Sequence, residues 1–382
     1  MAQTYKFGNG TWATKKGSTL AYSDTNNAFK PLPFSFERNS IATRVNKEGL
    51  IEVVGNDIPR IDYTDSTEGA LLLENSATNL IPYSEDFTQW ATFDCVVSST
   101  SNTQPNGKSS GYIATYSSNS SVVRYFSTVA SGTSYIFTAW VKSNQNGTIK
   151  MARSNQPNDG AYINVTTEWK RFEVQITPTS SSDGGGFYRL SDSDLNSIEI
   201  WGAQLEESYA TSYIPTNGSI IQRAAETCNE SGNSEVFNDS QGVLFANVSA
   251  LSTTGRIALG TTSNNVRFNY DASVNRLDGI VFNGSNQAVF NYILPTQNCF
   301  NKILIKYKPS DFSFFVNGFK VGSLVGSGTT FTEGTLSQLN FDAGNGALPF
   351  YGNTKQIAYY DTTLTDEELE YMTSYRSLNE MV

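Results

Sequence analysis

Histidine is absent from this 382-residue sequence. Without it no Ser-His-Asp or Cys-His arrangement can be assembled, and no metal can be held by imidazole. Cysteine is scarce as well. Cys95, Cys228 and Cys299 are odd in number, far apart and free of C-x-x-C spacing, which argues against a disulfide framework and a cysteine zinc site. Charged residues make up only 16% and form no Lys/Arg cluster, while the net charge is −10. A chain of that sign without a basic patch is a poor partner for nucleic acid or an anionic membrane, and neither is expected. No apolar run approaches the roughly 20 residues that a membrane-crossing helix needs. The opening MAQTYKFGNG has no basic region followed by an apolar stretch, so no secretion signal is expected. Coiled-coil heptads and solenoid repeats are missing too.

What is present points to β-structure. Aromatics reach 13%, which speaks for folded structure, and Ser, Thr, Asn and Gly suit many short strands and tight turns. In the stretch 135–142, Tyr135, Phe137, Ala139 and Val141 alternate with Ile136, Thr138, Trp140 and Lys142, the period of a half-buried strand. Residues 169–177 alternate likewise, with Phe172, Val174 and Ile176 on the core side. Beyond a polar stretch at 222–239, which reads as a linker or edge segment, strands are expected at short intervals from 242 to 342. Asn283-Gly284 and Asn317-Gly318 carry the chemistry of two-residue type I′ hairpin turns. One helix can be argued from chemistry alone. Thr365 is a good N-cap, Glu368 completes a capping box, Leu364 and Leu369 stand at staple spacing, and Leu369 and Met372 share a face.

A long run near the N-terminus, residues 33–90, has a different character. It is a train of short extended pieces cut by Gly, Asn, Asp and Pro, none long enough to bury a core alone. Its motif residues are Thr43 to Asn46, Gly49, Ile51, Glu52, Val54, Pro59, Arg60, Asp62, Tyr63, Leu71 to Glu74, Thr78 to Leu80, Ser84, Glu85, Phe87 and Trp90. On these the run resembles a leader of bacteriophage structural proteins, such as tail fibres and other virion appendages. Further on, YIFTAWVKS, TEWKRFEVQI and IEIWGAQLEESYATSYIPT resemble the strands of jelly-roll carbohydrate-binding modules. KILIKYKPSDFSFFVNGFKVG and the ending FYGNTKQIAYYDTTLTDEELEYMT resemble concanavalin A-like (laminin G-like) lectin sandwiches.

The expected fold is therefore all-β. Two consecutive β-sandwich (jelly-roll) domains, at 81–222 and 223–382, follow an extended strand-rich segment at 1–80 that docks on the particle or mediates oligomerisation. A short C-terminal helix ends the chain.

Sugar rings stack on flat exposed aromatics. Trp140, which shares a face with Thr138 and Lys142, is the first candidate platform, and Tyr162 and Tyr188 lie near loops. Trp169 and Trp201 sit in the motif strands and read as core. In the lectin-like half, Tyr270 and Asn345 are glycan candidates, and Asp271 and Asp342 offer oxygen ligands for calcium, though turn chemistry alone also places Asp, Asn and Gly there. The resemblance implies a virion protein, assembled in the host cytoplasm, that contacts other virion proteins through its N-terminal segment. It further implies a homo-oligomer, a trimer being the common fibre state, that binds host-surface or mucus glycans, with no catalytic residues. A purely structural particle protein and a polysaccharide depolymerase are the alternatives. For the depolymerase, only carboxylate chemistry is open to a chain without histidine, and nothing marks out a pair.

Overall fold

Alternating side chains along most of the chain produce antiparallel strands, and the computed structural model describes residues 4–23, 28–251, 254–295 and 299–375. These residues are nearly all β, with one α-helix, Asp366–Thr373, among them. They divide into two compact units. The first takes the described parts of Met1–Asn39, Gly55–Asn75 and Ala225–Val382; the second takes Ser40–Val54 and Ser76–Ala224.

The first unit is a sandwich. Its larger sheet has twelve strands, with Thr227–Asn229 at one edge, Phe319–Val325 at the other, and Thr4–Gly8, Gly352–Tyr360 and Gly242–Ala250 side by side in the middle. Tyr5 stands opposite Tyr359, and Leu244 opposite the same residue from the other side. The second sheet runs Asn286–Ile293, Arg276–Asn283, Asn264–Asp271, Gly255–Gly260, Leu339–Asn340. Between the two lies an apolar core that includes Phe34, Phe268, Phe314, Tyr307 and Ile357.

The second unit is also a sandwich, of two five-stranded sheets. One runs Ala91–Phe93, Ser121–Arg124, Gly185–Arg189, Gly147–Arg153, Gln156–Val165. The other runs Cys95–Thr100, Gly111–Tyr116, Ser197–Glu207, Tyr135–Lys142, Lys170–Ile176. As the alternation predicts, Tyr135, Phe137, Ala139 and Val141 point into the core.

The described residues of 1–80 are shared between the two units. Strand Thr4–Gly8 and the pair Arg60–Asp62 and Ala70–Leu73 belong to the large sheet of the first unit. The hairpin Ala42–Val45 with Ile51–Val54 belongs to the second. The leader motif is the chemistry of that incorporation. Arg60, fully buried, meets Glu74 at 2.8 Å and Glu226 through two further bonds, and Arg38 reaches Glu226 at 2.8 Å. Burial alone would lower the Arg60 pKa, but Glu226 and Glu74 outweigh it and hold the guanidinium charged. In the second unit Asn79 donates to the carbonyls of Ala203 and Ile214 and accepts from the Leu205 amide, while Phe87 and Trp90 enter the core. Motif residues so engaged are committed inward.

One local expectation is corrected and the others hold. The polar stretch 222–239 supplies an edge segment, one of its two expected readings, rather than a linker: Glu226 is fully buried and Thr227–Asn229 is the edge strand of the large sheet. Polar Glu226 meets its partners inside. Of the two hairpin signals, only Asn317-Gly318 takes the type I′ form, with φ of 51° and 86°. At Asn283-Gly284 the glycine alone is left-handed, at 65°, and the hairpin closes around Gly284 and Ser285. The helix forms as argued, with Thr365 and Glu368 in a capping box and Leu369 buried beside Leu364 and Met372. All three cysteines are free, with Cys299 exposed.

Candidate functional site

A sheet in a sandwich has one face in the core and one outside, and the outer faces are where a ligand can lie flat. In the second unit the register of the sheet beginning with Ala91–Phe93 aligns five residues across five strands. Phe93 stands opposite Val122, Val122 opposite Tyr188, Tyr188 opposite Lys150, and Lys150 opposite Tyr162. Their sequence neighbours Val123, Phe187, Met151 and Ile163 fill the core, so the row faces outward. At the usual strand spacing it is about 19 Å long.

The two ends of this row are open: Phe93 is 59% and Tyr162 38% exposed. Lys150 Nζ lies 4.8 Å from the centre of the Tyr162 ring and donates to the Gly160 carbonyl at 3.0 Å. Tyr188 is 5% exposed, packed with Val122, Ala152 and Leu190, and its hydroxyl donates to the Ser154 carbonyl at 2.5 Å. Its pKa is raised chiefly by burial. The adjacent row, Ala91, Arg124, Gly186, Ala152 and Gly160, has a single long side chain. That side chain, Arg124, reaches the Ser154 carbonyl and lies over the Phe126 ring at 4.9 Å. The face thus offers two open aromatic rings, with Lys150, only 9% exposed, and half-buried Arg124 between them.

Tyr162 and Tyr188, separated by 26 positions, are brought together on either side of Lys150. Tyr162 is an open ring; Tyr188 supports the floor. Phe93 and Lys150 were missed. Lys150 carries the outward beat of the alternation Ile149, Lys150, Met151, but nothing in the sequence aligns Phe93 with it.

Trp140 has a different role. It meets Trp201 edge-on at 5.3 Å and Tyr213 at 5.7 Å, and the Arg171 guanidinium covers its ring at 4.8 Å. Val45 and Ile51 of the leader hairpin complete this cluster. Gly202, at a φ of +63°, lies beneath, where an added Cβ would come within 3.0 Å of the Trp140 ring. Thr138, though on the outward beat, is buried and accepts from Arg171. The face expected to be open carries a roof from the N-terminal run. Trp201 is core, as expected; Trp169 is partly buried and bonds to the Thr103 carbonyl.

In the first unit Tyr270 is 1% exposed and packs against Phe350 in the core, so no sugar reaches its ring. Its position puts it on the inward beat beside Phe268. Asp271 accepts from the Ser273 hydroxyl at 2.6 Å and amide at 3.2 Å. The Asp271 pKa is lowered, first by the Ser273 hydroxyl. Asp342 accepts from Asn229 at 2.8 Å and from the amides of Gly344 and Gly346. Asn345 is exposed and accepts from the Ala347 amide at 3.1 Å. Each acid is occupied by its own turn, and among the described residues no three His, Cys, Asp or Glu side chains converge on a metal position.

No protein-family model matches the chain, and no curated protein sequence matches it. Among solved structures it is similar to the CBM40 of the Ruminococcus gnavus IT-sialidase bound to α2,3-sialyllactose, at 15% identity over 38% of this chain and 94% of that one, with a TM-score of 0.32. Domain 4 of the arabinanase AbnA from Geobacillus stearothermophilus, in complex with arabinotriose, gives 14% identity and a TM-score of 0.28 over 44% of this chain and 83% of that one. Mouse laminin α1 domains LG4-5 give 7% identity and 0.25 over 78% and 96%. The solved structures it is similar to thus include carbohydrate-binding modules and laminin G-like domains, and no residue of this chain is assigned through them.

Proposed function

We propose that this protein is a non-catalytic glycan-binding protein of a bacteriophage virion. The observation behind glycan binding is the outward row of the second unit, with open rings at Phe93 and Tyr162 and the Lys150 ammonium between them. Such rings stack on the apolar faces of sugars, and the neighbouring cations donate to hydroxyls. The virion location and the host-surface or mucus source of the glycan rest on the sequence resemblance of the run 33–90. Weak sugar contacts gain from multivalency, which a homo-oligomer, a trimer among others, would supply.

The test is a glycan array on the full chain, with released oligosaccharide measured in parallel. Saturable binding of a neutral glycan without product, lost in Phe93→Ala and Tyr162→Ala, is the expected result; product release would establish a depolymerase instead. A second reading, a structural particle protein, draws on the edge strands Phe319–Val325 and Asn286–Ile293. There Phe319, Val325 and Ile293 expose apolar side chains beside unpaired backbone. Glycan silence together with incorporation into particles would select it.

A further inference from the structure

The fully buried arginines of the first unit have anions beside them: Arg38 and Arg60 lie against Glu226 and Glu74. Arg256 and Arg267 differ. They stand on the outer face of the second sheet of that unit, on the adjacent strands Gly255–Gly260 and Asn264–Asp271. Arg256 is opposite Asn269, and Arg267 is opposite Ala258, so the two guanidinium groups are diagonal neighbours on one face. The alternate residues Ile257, Leu259, Val266 and Phe268 are core, which fixes both arginines outward.

Among the described residues neither forms an ion pair. Arg267 Nη1 donates to Asn265 at 2.7 Å, its Nε is buried without a hydrogen-bond partner, and its plane lies 5.4 Å from the Phe282 ring. The acid that acts on Arg267, Asp278, is occupied by Arg276 at 2.8 Å and Asn291 at 2.6 Å. Burial first, and then the field of Arg256, lower the Arg267 pKa to about 10; burial lowers that of Arg256. Two half-desolvated cations that repel each other gain more from an anion than exposed ones do. Beside them in the sheet stand Ile280 and Val289, the latter exposed, in the same row as Arg267. Val289 and half-buried Phe282 are open apolar side chains on this face, with buried Ile280 as support.

We propose that this face binds an acidic glycan, with the sugar carboxylate bridging Arg256 and Arg267 and its ring lying toward Phe282 and Val289. A planar carboxylate matches the guanidinium fork, which is why arginine suits this task better than lysine. The proposal extends the glycan reading to a second face and rests on it only for the ligand class.

The test is isothermal titration of the full chain with oligosaccharides carrying a uronate or sialate, each beside its methyl ester, and with inorganic phosphate. The acid form should bind about tenfold or more tightly than the ester, and Arg256→Ala and Arg267→Ala should each cost about tenfold or more, at unchanged melting temperature. Arg267→Lys should recover part of the loss and sharpen its salt dependence. Phe93→Ala with Tyr162→Ala should leave acid binding unaltered, which separates this face from the row of the second unit. Equal binding of acid and ester, no binding of any acid, or phosphate bound as tightly as the sugars would each overturn the proposal.

Discussion

Arg60 and Glu226 are 166 positions apart in the chain and meet fully buried, Arg60 Nε donating to Glu226 Oε1 at 2.9 Å. Glu226 also serves Arg38, and it accepts from the Glu74 amide at 2.9 Å. Removing one member of such a network strands the others without solvent. Glu226→Gln should therefore destabilise the first unit by about 3–5 kcal/mol. Urea unfolding followed by circular dichroism reads this loss. Four of the five tryptophans lie in the second unit, so their fluorescence should move less. A shift under 1 kcal/mol would show that the network adds little.

Phe93→Ala and Tyr162→Ala should each weaken glycan binding about tenfold while changing stability by no more than about 0.5 kcal/mol, since both rings are open. Titration with whichever neutral array glycan binds, beside thermal melting, separates the two effects.

Trp140→Ala should act through folding. Losing its contacts with Trp201, Tyr213 and Arg171 should cost about 2–4 kcal/mol, and the folded fraction should retain full affinity. Unaltered stability with lost binding would return Trp140 to the role of platform.

Glu206 gives a pH signature. Burial holds its carboxyl above the ordinary 4.5, against hydrogen bonds from Thr211 and Gln204 and the field of Arg171. Folding thus favours the protonated form. Stability is complete below the unfolded value and declines as pH rises through the raised folded one. In urea titrations followed by tryptophan fluorescence, wild type should lose stability relative to Glu206→Gln as pH climbs from acid to neutral. A gain over that interval would reverse the assignment.

Thr365→Ala removes the capping box of the α-helix Asp366–Thr373 and should cost about 1 kcal/mol, read from the urea midpoint.

Period and capping were legible before any coordinates. The alternation around Phe137 named a core face, and Thr365 with Glu368 named a helix start. What the sequence hid was what covers each face. Trp140 lies on the outward beat, yet the hairpin 42–54, nearly a hundred positions earlier, is folded onto it. Likewise the row from Phe93 to Tyr162 exists only through register between strands far apart in the chain. The two acids proposed for calcium follow ordinary turn chemistry, which a ligand site and a bare turn share. Tyr270 failed for a simpler reason: beside a turn, it still falls on the inward beat of its strand.

The middle of the large sheet sets Thr4–Gly8 against Gly352–Tyr360. A ribosome delivers these two partners about 350 residues apart. The second unit, whose last strand ends at Arg223, has all its pieces while the first still lacks its central strand. At ordinary elongation rates the strand Thr4–Gly8 waits roughly 6 to 27 seconds after that point for its neighbour. Newly made chains should therefore pass through a state with one sandwich finished and the other held open, and whatever guards that exposed edge sets the yield of the protein.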